Sequence, residues 1–176
     1  MRNTALFIAM SLDGYLADAQ GGVSWLQGQD AGEEAPDFYS AFFHTVDTVV
    51  MGWNTYHQVV TELSPEQWPY TGLKTWVITH RDLPSTEEIH FTAESPCALV
   101  QRLRVETGKA IWICGGAGIV HPLIDEDLID TYAISIIPTL LGSGIPLFPS
   151  SGREHPLKLL RSQSGNGITE LTYTRR

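Results

Sequence analysis

Residues 111–119 are Ile-Trp-Ile-Cys-Gly-Gly-Ala-Gly-Ile, an apolar run that leads directly into three glycines. The apolar half is typical of a buried β-strand, and the glycines stand where a helix would begin. Because glycine has no Cβ, a diphosphate can approach this backbone closely, and the free N–H groups of a helix start attract anions. The alternative is a tight packing turn, since Gly-Gly-x-Gly is not the usual dinucleotide motif Gly-x-Gly-x-x-Gly.

Five apolar runs rich in β-branched residues have the length of β-strands. They cover residues 5–10, 48–51, 75–79, 110–114 and 132–137. Their apolarity is nearly continuous rather than alternating, which favours burial on both faces, as in a largely parallel sheet covered by helices. The chain is therefore expected to adopt an α/β fold.

Helix and turn signals separate and follow these strands. Ser95 is suited to cap a helix that starts at Pro96 and ends before Gly108. Three more helices are predicted over 37–45, 54–62 and 117–124, the last with Pro122 inside it. Two stretches rich in Pro and Gly, 65–72 and 138–149, are predicted loops. In the tail, segments 157–164 and 168–174 flank a Gly-Asn-Gly turn, which predicts an antiparallel hairpin.

Composition indicates the class of protein. The chain has 176 residues, 43% hydrophobic and 18% charged, which is typical of one globular domain spanning 1–176. Its two cysteines, Cys97 and Cys114, have no metal-ligand spacing, so we expect free thiols, a cytoplasmic location and no metal site. The first apolar run meets Asp13 too early to cross a membrane.

The formal net charge of −9 would repel nucleic acid and anionic membrane surfaces, and no basic patch is visible in the sequence. We therefore expect neither as a partner. The same field opposes anionic cofactors. Any phosphate must then be held by local backbone dipoles and by one or two well-placed cations.

Two further strand ends carry polar groups suited to a dinucleotide, and ligands of open α/β sheets collect beyond the carboxyl ends of strands. Gly52 turns one strand into a helix whose first turn holds Asn54 and Thr55 as donors to a phosphate. An ordinary turn with a helix cap is the alternative. Residues 79–81 follow the next strand and suit an adenosine ribose or its 2′-phosphate, against the alternative of a solvated loop.

Six segments occur in the order and spacing of a known family: 7–17 (FIAMSLDGYLA), 25–26 (WL), 47–52 (DTVVMG), 77–81 (VITHR), 113–116 (ICGG) and 136–144 (IIPTLLGSG). In these segments the chain resembles the dihydrofolate-reductase-like superfamily. It is most similar to the branch of the reductase domain of the bifunctional riboflavin-biosynthesis deaminase-reductase. The resemblance runs from the first strand to the tail.

This resemblance implies a three-layer α/β fold with a mainly parallel eight-stranded sheet flanked by helices and a C-terminal antiparallel hairpin. It also implies an NADPH-dependent oxidoreductase with the cofactor along the carboxyl edge of the sheet, and a cis Gly115-Gly116 peptide. Ala9, Leu16 and Ala17 would line the nicotinamide. The other implied cofactor contacts are Gly52, Trp53, Asn54, Thr55, Thr79, His80, Arg81, Gly115, Gly116, Ala117, Gly118 and Ile119. Trp25, Gly142, Ser143 and Gly144 would border the substrate.

The sequence departs from the family pattern at Trp53, because the usual Gly-Arg-x-Thr is here Gly-Trp-Asn-Thr. A Trp cannot pair with a phosphate dianion, although it can stack on adenine. A preference for NADPH then rests on His80 and Arg81. We therefore predict reduced discrimination against NADH.

The resemblance also suggests a catalytic acid on the helix before the second strand, where Asp37 falls. An Asp at a helix start is equally suited to capping. The implied substrate is the ribosylamino-pyrimidine reduced in riboflavin synthesis, with dihydrofolate or a pteridine as the alternative. A non-catalytic dinucleotide-binding or interaction protein is the rival from another class. A homodimer, formed through the tail strands, is also implied.

Overall fold

The computed structural model describes residues 1–33, 37–148 and 150–176. Its strands are β1 (Thr4–Ser11), β2 (Tyr15–Ala17), β3 (Val46–Gly52), β4 (Lys74–Ile78), β5 (Ile89–Thr92), β6 (Ala110–Gly115), β7 (Thr131–Ile137), β8 (Ile145–Pro146), β9 (Leu157–Gly165) and β10 (Ile168–Arg175). Its helices are α1 (Tyr39–Phe43), α2 (Trp53–Gln58), α3 (Pro96–Arg104) and α4 (Ala117–Asp125), and a π-helical turn (Val59–Leu63) continues α2.

Eight strands form one sheet in the order β5-β4-β3-β6-β1-β7-β10-β9. The pairings from β5 to β7 are parallel, whereas β10 is antiparallel to both β7 and β9. Strands β2 and β8 form a separate antiparallel pair. The mainly parallel eight-stranded α/β sheet with a C-terminal hairpin is thus confirmed.

The sheet is covered on both faces, as the continuous apolarity of its strands predicts. On one face, α3 and α4 bury Leu99, Leu103 and Leu123 in a cluster that includes Leu6 and Ile113. On the other face, Met51, Val77 and Trp112 form a second cluster, against which Phe42 and Phe43 pack. Each fully buried aliphatic side chain contributes about 1.5–3 kcal/mol. The central strands are therefore firmly held between two layers.

Strand and helix predictions were accurate where the apolar pattern is long. The five predicted strands correspond to β1, β3, β4, β6 and β7, each within about two residues at either end. The Ser95 hydroxyl accepts a hydrogen bond from the Ala98 amide at 3.3 Å and so caps α3, as predicted. Helix α4 passes through Pro122 and ends at Asp125.

Some boundaries were wrong. The helix predicted over 37–45 is shorter, because the Asp37 carboxylate accepts the Ser40 amide ahead of it, and the helix covers only Tyr39–Phe43. The short strands β2, β5 and β8 were missed, since two to four residues give too little periodicity to detect. Strand β8 lies inside the predicted loop 138–149, whose last residue is outside the described residues.

This topology positions the site. Strands β3, β6 and β1 are adjacent and parallel, so the segments that leave their carboxyl ends meet at one edge of the sheet. There β3 leads into α2, β6 leads into α4, and β1 leads through a turn into β2. The three glycines of segment 111–119, which span the end of β6 and the start of α4, lie at the centre of this edge.

Candidate dinucleotide and substrate cavity

A cavity of about 1120 Å³ lies along the carboxyl edge of the sheet. That volume is slightly above the usual range of about 300–1,000 Å³ for small-molecule sites. Its wall includes eleven of the residues that the sequence implied for the cofactor: Ala9, Leu16, Ala17, Gly52, Trp53, Asn54, Thr55, Gly116, Ala117, Gly118 and Ile119. The structure therefore brings most of that predicted set together, from four separate parts of the chain.

The start of α4 forms one wall of the cavity. No side chain caps this helix, whose N-cap residue is Gly116. The peptide between Gly115 and Gly116 is cis, as the resemblance implied, and Gly115 has a φ of +122° that other residues rarely adopt. A Cβ added at the exposed Gly118 would meet nothing within 4 Å, so the first turn faces open space. Free amides at such a helix start bind anionic groups well.

The turn between β3 and α2 packs directly against the start of α4. A Cβ added at Gly52 would lie 3.2 Å from Cγ1 of Ile119, and one added at Gly116 would lie 3.5 Å from the Thr55 hydroxyl. Because these residues have no Cβ, two backbone turns come close enough to share one ligand. This geometry leaves room for a diphosphate at the glycines. It also shows the tight turn packing that the sequence left open as the alternative to a diphosphate site.

The third predicted strand end, residues 79–81, lies outside the cavity lining. The Thr79 hydroxyl is buried and accepts the Arg81 amide at 3.1 Å, whereas His80 is exposed, and none of residues 79–81 lines the wall. The Arg81 guanidinium nevertheless lies 4.6 Å from the centre of the Trp53 ring. This cation–π contact brings a positive charge to the rim of the cavity. Trp53, the departure from the family pattern, therefore positions Arg81.

Ala9 on β1 and Leu16 and Ala17 on β2 also line the cavity, on either side of the β1–β2 turn. The Asp13 carboxylate fixes this turn: it accepts the Ser11 hydroxyl at 2.6 Å and the Gly142 amide at 2.7 Å. The hydrogen bonds from Ser11 and from the amides of Gly142 and Leu141 hold the pKa of Asp13 below its usual range. Asp13 thus joins two loops beside the cavity.

The predicted substrate residues lie around the cavity rather than in its wall. The Trp25 indole N–H donates to the Gly22 carbonyl at 3.1 Å, and Ser143 is exposed. Gly144 packs against the backbone of Ala17, which lines the cavity, because a Cβ at Gly144 would lie 2.2 Å from the Ala17 carbonyl oxygen. The Gly142 amide is bonded to Asp13, which holds the β1–β2 turn beside the cavity.

The predicted acid, Asp37, is exposed and does not line the cavity. Its carboxylate accepts the Ser40 amide at 2.9 Å, and the hydrogen bonds from Ser40 hold the pKa of Asp37 below its usual range. The carboxylate is therefore ionised at neutral pH and has no proton to donate. The geometry resembles the capping alternative that the sequence left open.

Sequence reasoning missed an aromatic end of the cavity, formed by Phe7, Tyr39, Tyr70, Trp112 and Cys114. The Trp112 ring is its floor, with the rings of Tyr70 at 5.1 Å and Tyr39 at 5.8 Å, each edge to face. The Tyr70 hydroxyl lies 3.8 Å from the Cys114 sulfur. The only available signal was the aromatic content of the predicted loop 65–72, which contains Trp68-Pro69-Tyr70.

The polar groups of this aromatic end are neutral. Burial raises the pKa of Tyr39 to about 12 and that of Cys114 to about 11, and burial also raises the pKa of Tyr70. All three groups therefore keep their protons at neutral pH. They offer hydrogen-bond donors without any charge.

The described residues contain no group of three or more His, Cys, Asp or Glu side chains arranged to hold a metal ion. Across the same ranges, no helix combines the length and apolarity that crossing a bilayer would need.

The eight-stranded sheet with this strand order, and a cavity along its carboxyl edge, is the architecture of a dihydrofolate-reductase-like protein. In agreement, the fold matches dihydrofolate reductase from Enterococcus faecalis complexed with NADP(H), with a TM-score of 0.66 over 99% of this chain and 96% of that one, at 16% identity. More specifically, residues 3–169 match the RibD C-terminal domain family, and the chain belongs to that family.

Relatives at the sequence level are consistent with this membership. The chain is 39% identical over 175 residues to the uncharacterized protein YwjB of Bacillus subtilis (strain 168), covering 99% of this chain and 98% of YwjB. It is 28% identical to the riboflavin biosynthesis protein RibD of Haemophilus influenzae, covering 96% of this chain but 57% of RibD. A crystal structure from Shewanella sp. PV-4, provisionally assigned to riboflavin biosynthesis, matches with a TM-score of 0.78 at 27% identity, covering 100% of this chain and 99% of that one.

Proposed function

We propose that this protein is a reductase that binds NADPH, with reduced discrimination against NADH, and transfers hydride to a small heterocyclic compound. One observation carries this proposal: the uncapped glycine start of α4 and the aromatic end containing Trp112 belong to one continuous cavity. A dinucleotide needs the first feature and a flat substrate needs the second. The family membership supports an oxidoreductase of this kind.

The residues present fit a nicotinamide dinucleotide. The amides at the start of α4 would hold the diphosphate, because Gly116 and Gly118 leave the approach free of side chains. Arg81, held against Trp53, would pair with a 2′-phosphate. Ala9, Leu16 and Ala17 would hold the nicotinamide. When bound, the reduced cofactor supplies the hydride.

The chain's own contribution to catalysis is orientation and exclusion of water. Phe7, Tyr39 and Trp112 present ring faces and edges to a flat substrate. The Tyr39 and Tyr70 hydroxyls keep their protons and can donate hydrogen bonds to it, a role that Asp37 cannot fill from outside the cavity. We therefore assign the hydrogen-bond donors at the substrate to these two tyrosines.

Titration of the purified protein with NADPH and NADH, followed by quenching of tryptophan fluorescence, tests the cofactor half of this proposal. Trp53 and Trp112 line the cavity, so binding should quench their emission. Oxidation of the bound cofactor is then followed with a panel of pyrimidines, pterins and other heterocycles. Quenching without oxidation across the panel would favour the non-catalytic dinucleotide-binding protein. Absence of quenching with either nucleotide would contradict the proposal.

A further inference from the structure

We infer, on the basis of the proposed function, that the substrate is an uncharged planar ring compound without a phosphate or carboxylate group. This inference narrows the substrate class that the family resemblance suggested, because the ribosylamino-pyrimidine of riboflavin synthesis carries a phosphate and dihydrofolate carries carboxylates. It depends on where the cations of this chain lie.

The chain has eleven Lys and Arg residues, all within the described residues, and none of them lines the cavity. Most have partners elsewhere. Five pair with carboxylates: Arg2, Arg102, Arg104, Arg153 and Arg175. Two donate hydrogen bonds to backbone carbonyls: Lys109 and Arg176. Lys74 stands over Trp76, Arg161 donates to Gln163, and Lys158 is on the edge strand β9. Only Arg81 remains near the cavity.

Arg81 does not line the cavity, and the contact that brings its guanidinium to the cavity is with Trp53, not with a residue of the aromatic end. Its guanidinium lies on Trp53, and two aromatic rings, Tyr56 and Trp68, stand in the series between Trp53 and Tyr70. Successive ring centres in that series are 5.6, 5.7 and 5.1 Å apart. If the cofactor carries a 2′-phosphate, that group occupies this arginine, and no lysine or arginine is left for the substrate.

The mouth of the cavity is also unsuited to an anion. Glu62 lines it, and the large apolar side chains of Leu26 and Leu63 line it while remaining 41% and 57% exposed. A carboxylate near the entry repels a phosphate, and the net charge of −9 adds to that repulsion. Exposed leucines favour an apolar ligand.

The aromatic end itself offers what a neutral heterocycle needs. Trp112 and the rings packed against it supply apolar faces. The hydroxyls of Tyr39 and Tyr70 and the Cys114 thiol supply neutral polar groups for ring nitrogens and carbonyls. A buried anion without a cationic partner is strongly disfavoured, whereas a buried carbonyl needs only one hydrogen bond.

Binding of matched compounds that differ only in charge tests this inference. One pair is the ribosylamino-pyrimidine with and without its 5′-phosphate, and the other is dihydrofolate and its dimethyl ester. Dissociation constants are measured by tryptophan quenching, both for the protein alone and with saturating NADP⁺. We expect the uncharged member of each pair to bind at least about tenfold more tightly.

A charge-reversal variant at the mouth adds a second measurement. Glu62→Lys should lower the ratio of the dissociation constants of the charged and uncharged members of a pair by about tenfold, because the lysine supplies the missing cation. Glu87→Lys makes the same change of charge at an exposed residue away from the cavity and should leave the ratio within about twofold.

Tighter binding of the charged members, or binding of neither member, would overturn the inference. These outcomes are distinct from failure of the proposed function, which is judged by the separate NADPH and NADH titrations. A protein that binds NADPH and prefers the phosphorylated pyrimidine would keep the proposed function and lose the substrate class.

Discussion

Under the proposed function, Arg81 is the residue on which we expect the choice between NADPH and NADH to depend. Its guanidinium is held by Trp53 at the rim of the cavity, where the family pattern places an arginine on the strand-to-helix turn instead. A single exposed charge-assisted contact contributes about 1.5–3 kcal/mol at most. We therefore expect Arg81→Ala to reduce a modest NADPH preference of roughly ten- to hundredfold to less than about threefold.

The measurement is the ratio of the two dissociation constants, and Lys74→Ala is the matched control. Lys74 also stands over a tryptophan, Trp76, at 5.4 Å, but it lies at the opposite end of β4. Its removal should leave the ratio unchanged. A preference of several hundredfold that survives Arg81→Ala would contradict this role for Arg81.

Cys114 provides a pH-dependent test of how well the aromatic end is buried. Burial raises its pKa from 9.0 to about 11, so the folded protein keeps the thiol protonated where the unfolded chain would ionise. The contribution of this group to stability is therefore constant below pH 9 and is lost as the pH rises towards 11. Between pH 9 and 11 the free energy of unfolding should therefore fall by about 2 kcal/mol through this group.

Urea unfolding of the native protein and of Cys114→Ala between pH 8 and 11 measures this effect. The tyrosines titrate in both proteins, so the difference between the two unfolding free energies reports Cys114 together with its interactions with Tyr39 and Tyr70. We expect that difference to shrink as the pH rises. Parallel curves would mean that the thiol is accessible to water and that the aromatic end is open.

At the scale of the element, the start of α4 allows binding to be separated from stability. Gly118 is exposed at the second position of the helix, and an added side chain there meets nothing within 4 Å. A carboxylate in the first turn stabilises a helix but repels a diphosphate. Gly118→Asp should therefore leave the melting temperature unchanged or slightly raised, while weakening NADPH binding at least about tenfold.

Gly118→Asn is the control for Gly118→Asp, because it has nearly the same shape without the charge. It should bind NADPH within about threefold of the original protein. Equal loss of binding in both variants would point to a steric effect, and equal retention in both would exclude the α4 amides from the diphosphate site.

The elements differ in how far they could be predicted from sequence. Long apolar runs such as β1 and β6, and the glycines after β6, carry strong local signals, so the sheet and much of the cavity lining were predicted. The aromatic end was not, because Phe7, Tyr39, Tyr70 and Trp112 come from four distant segments. Only the folded topology brings them together, and nothing local distinguishes such aromatic residues from ordinary core residues.

Asp37 illustrates the same limit at a single position. Its place before the second long strand fitted the family pattern, yet a difference of two residues decides whether a side chain lines the cavity or faces the solvent. In the structure Tyr39, two residues later, lines the cavity and Asp37 does not. Sequence spacing placed Asp37 close to the cavity-lining residue Tyr39, but Asp37 itself lies before the start of the helix.

At the scale of the whole molecule, β9 is the edge of the sheet, and among the described residues no strand pairs with its outer side. It is nine residues long and exposes Leu159 and Leu160, which are 50% and 56% accessible. Long edge strands with exposed apolar residues favour pairing with another chain. This edge is therefore where we place the homodimer that the family resemblance implied.

Light scattering coupled to size-exclusion chromatography tests this dimer. The original protein should elute as a dimer at micromolar concentration, and Leu160→Lys should shift it to a monomer, because a charge at the edge opposes pairing. Leu140→Lys alters a more exposed leucine, 70% accessible and outside every strand, and should stay dimeric. Since β9 lies three strands from β1 in the sheet order, the monomer should still bind NADPH with unchanged affinity. A monomeric original protein, or a dimer that persists in Leu160→Lys, would remove β9 as the interface.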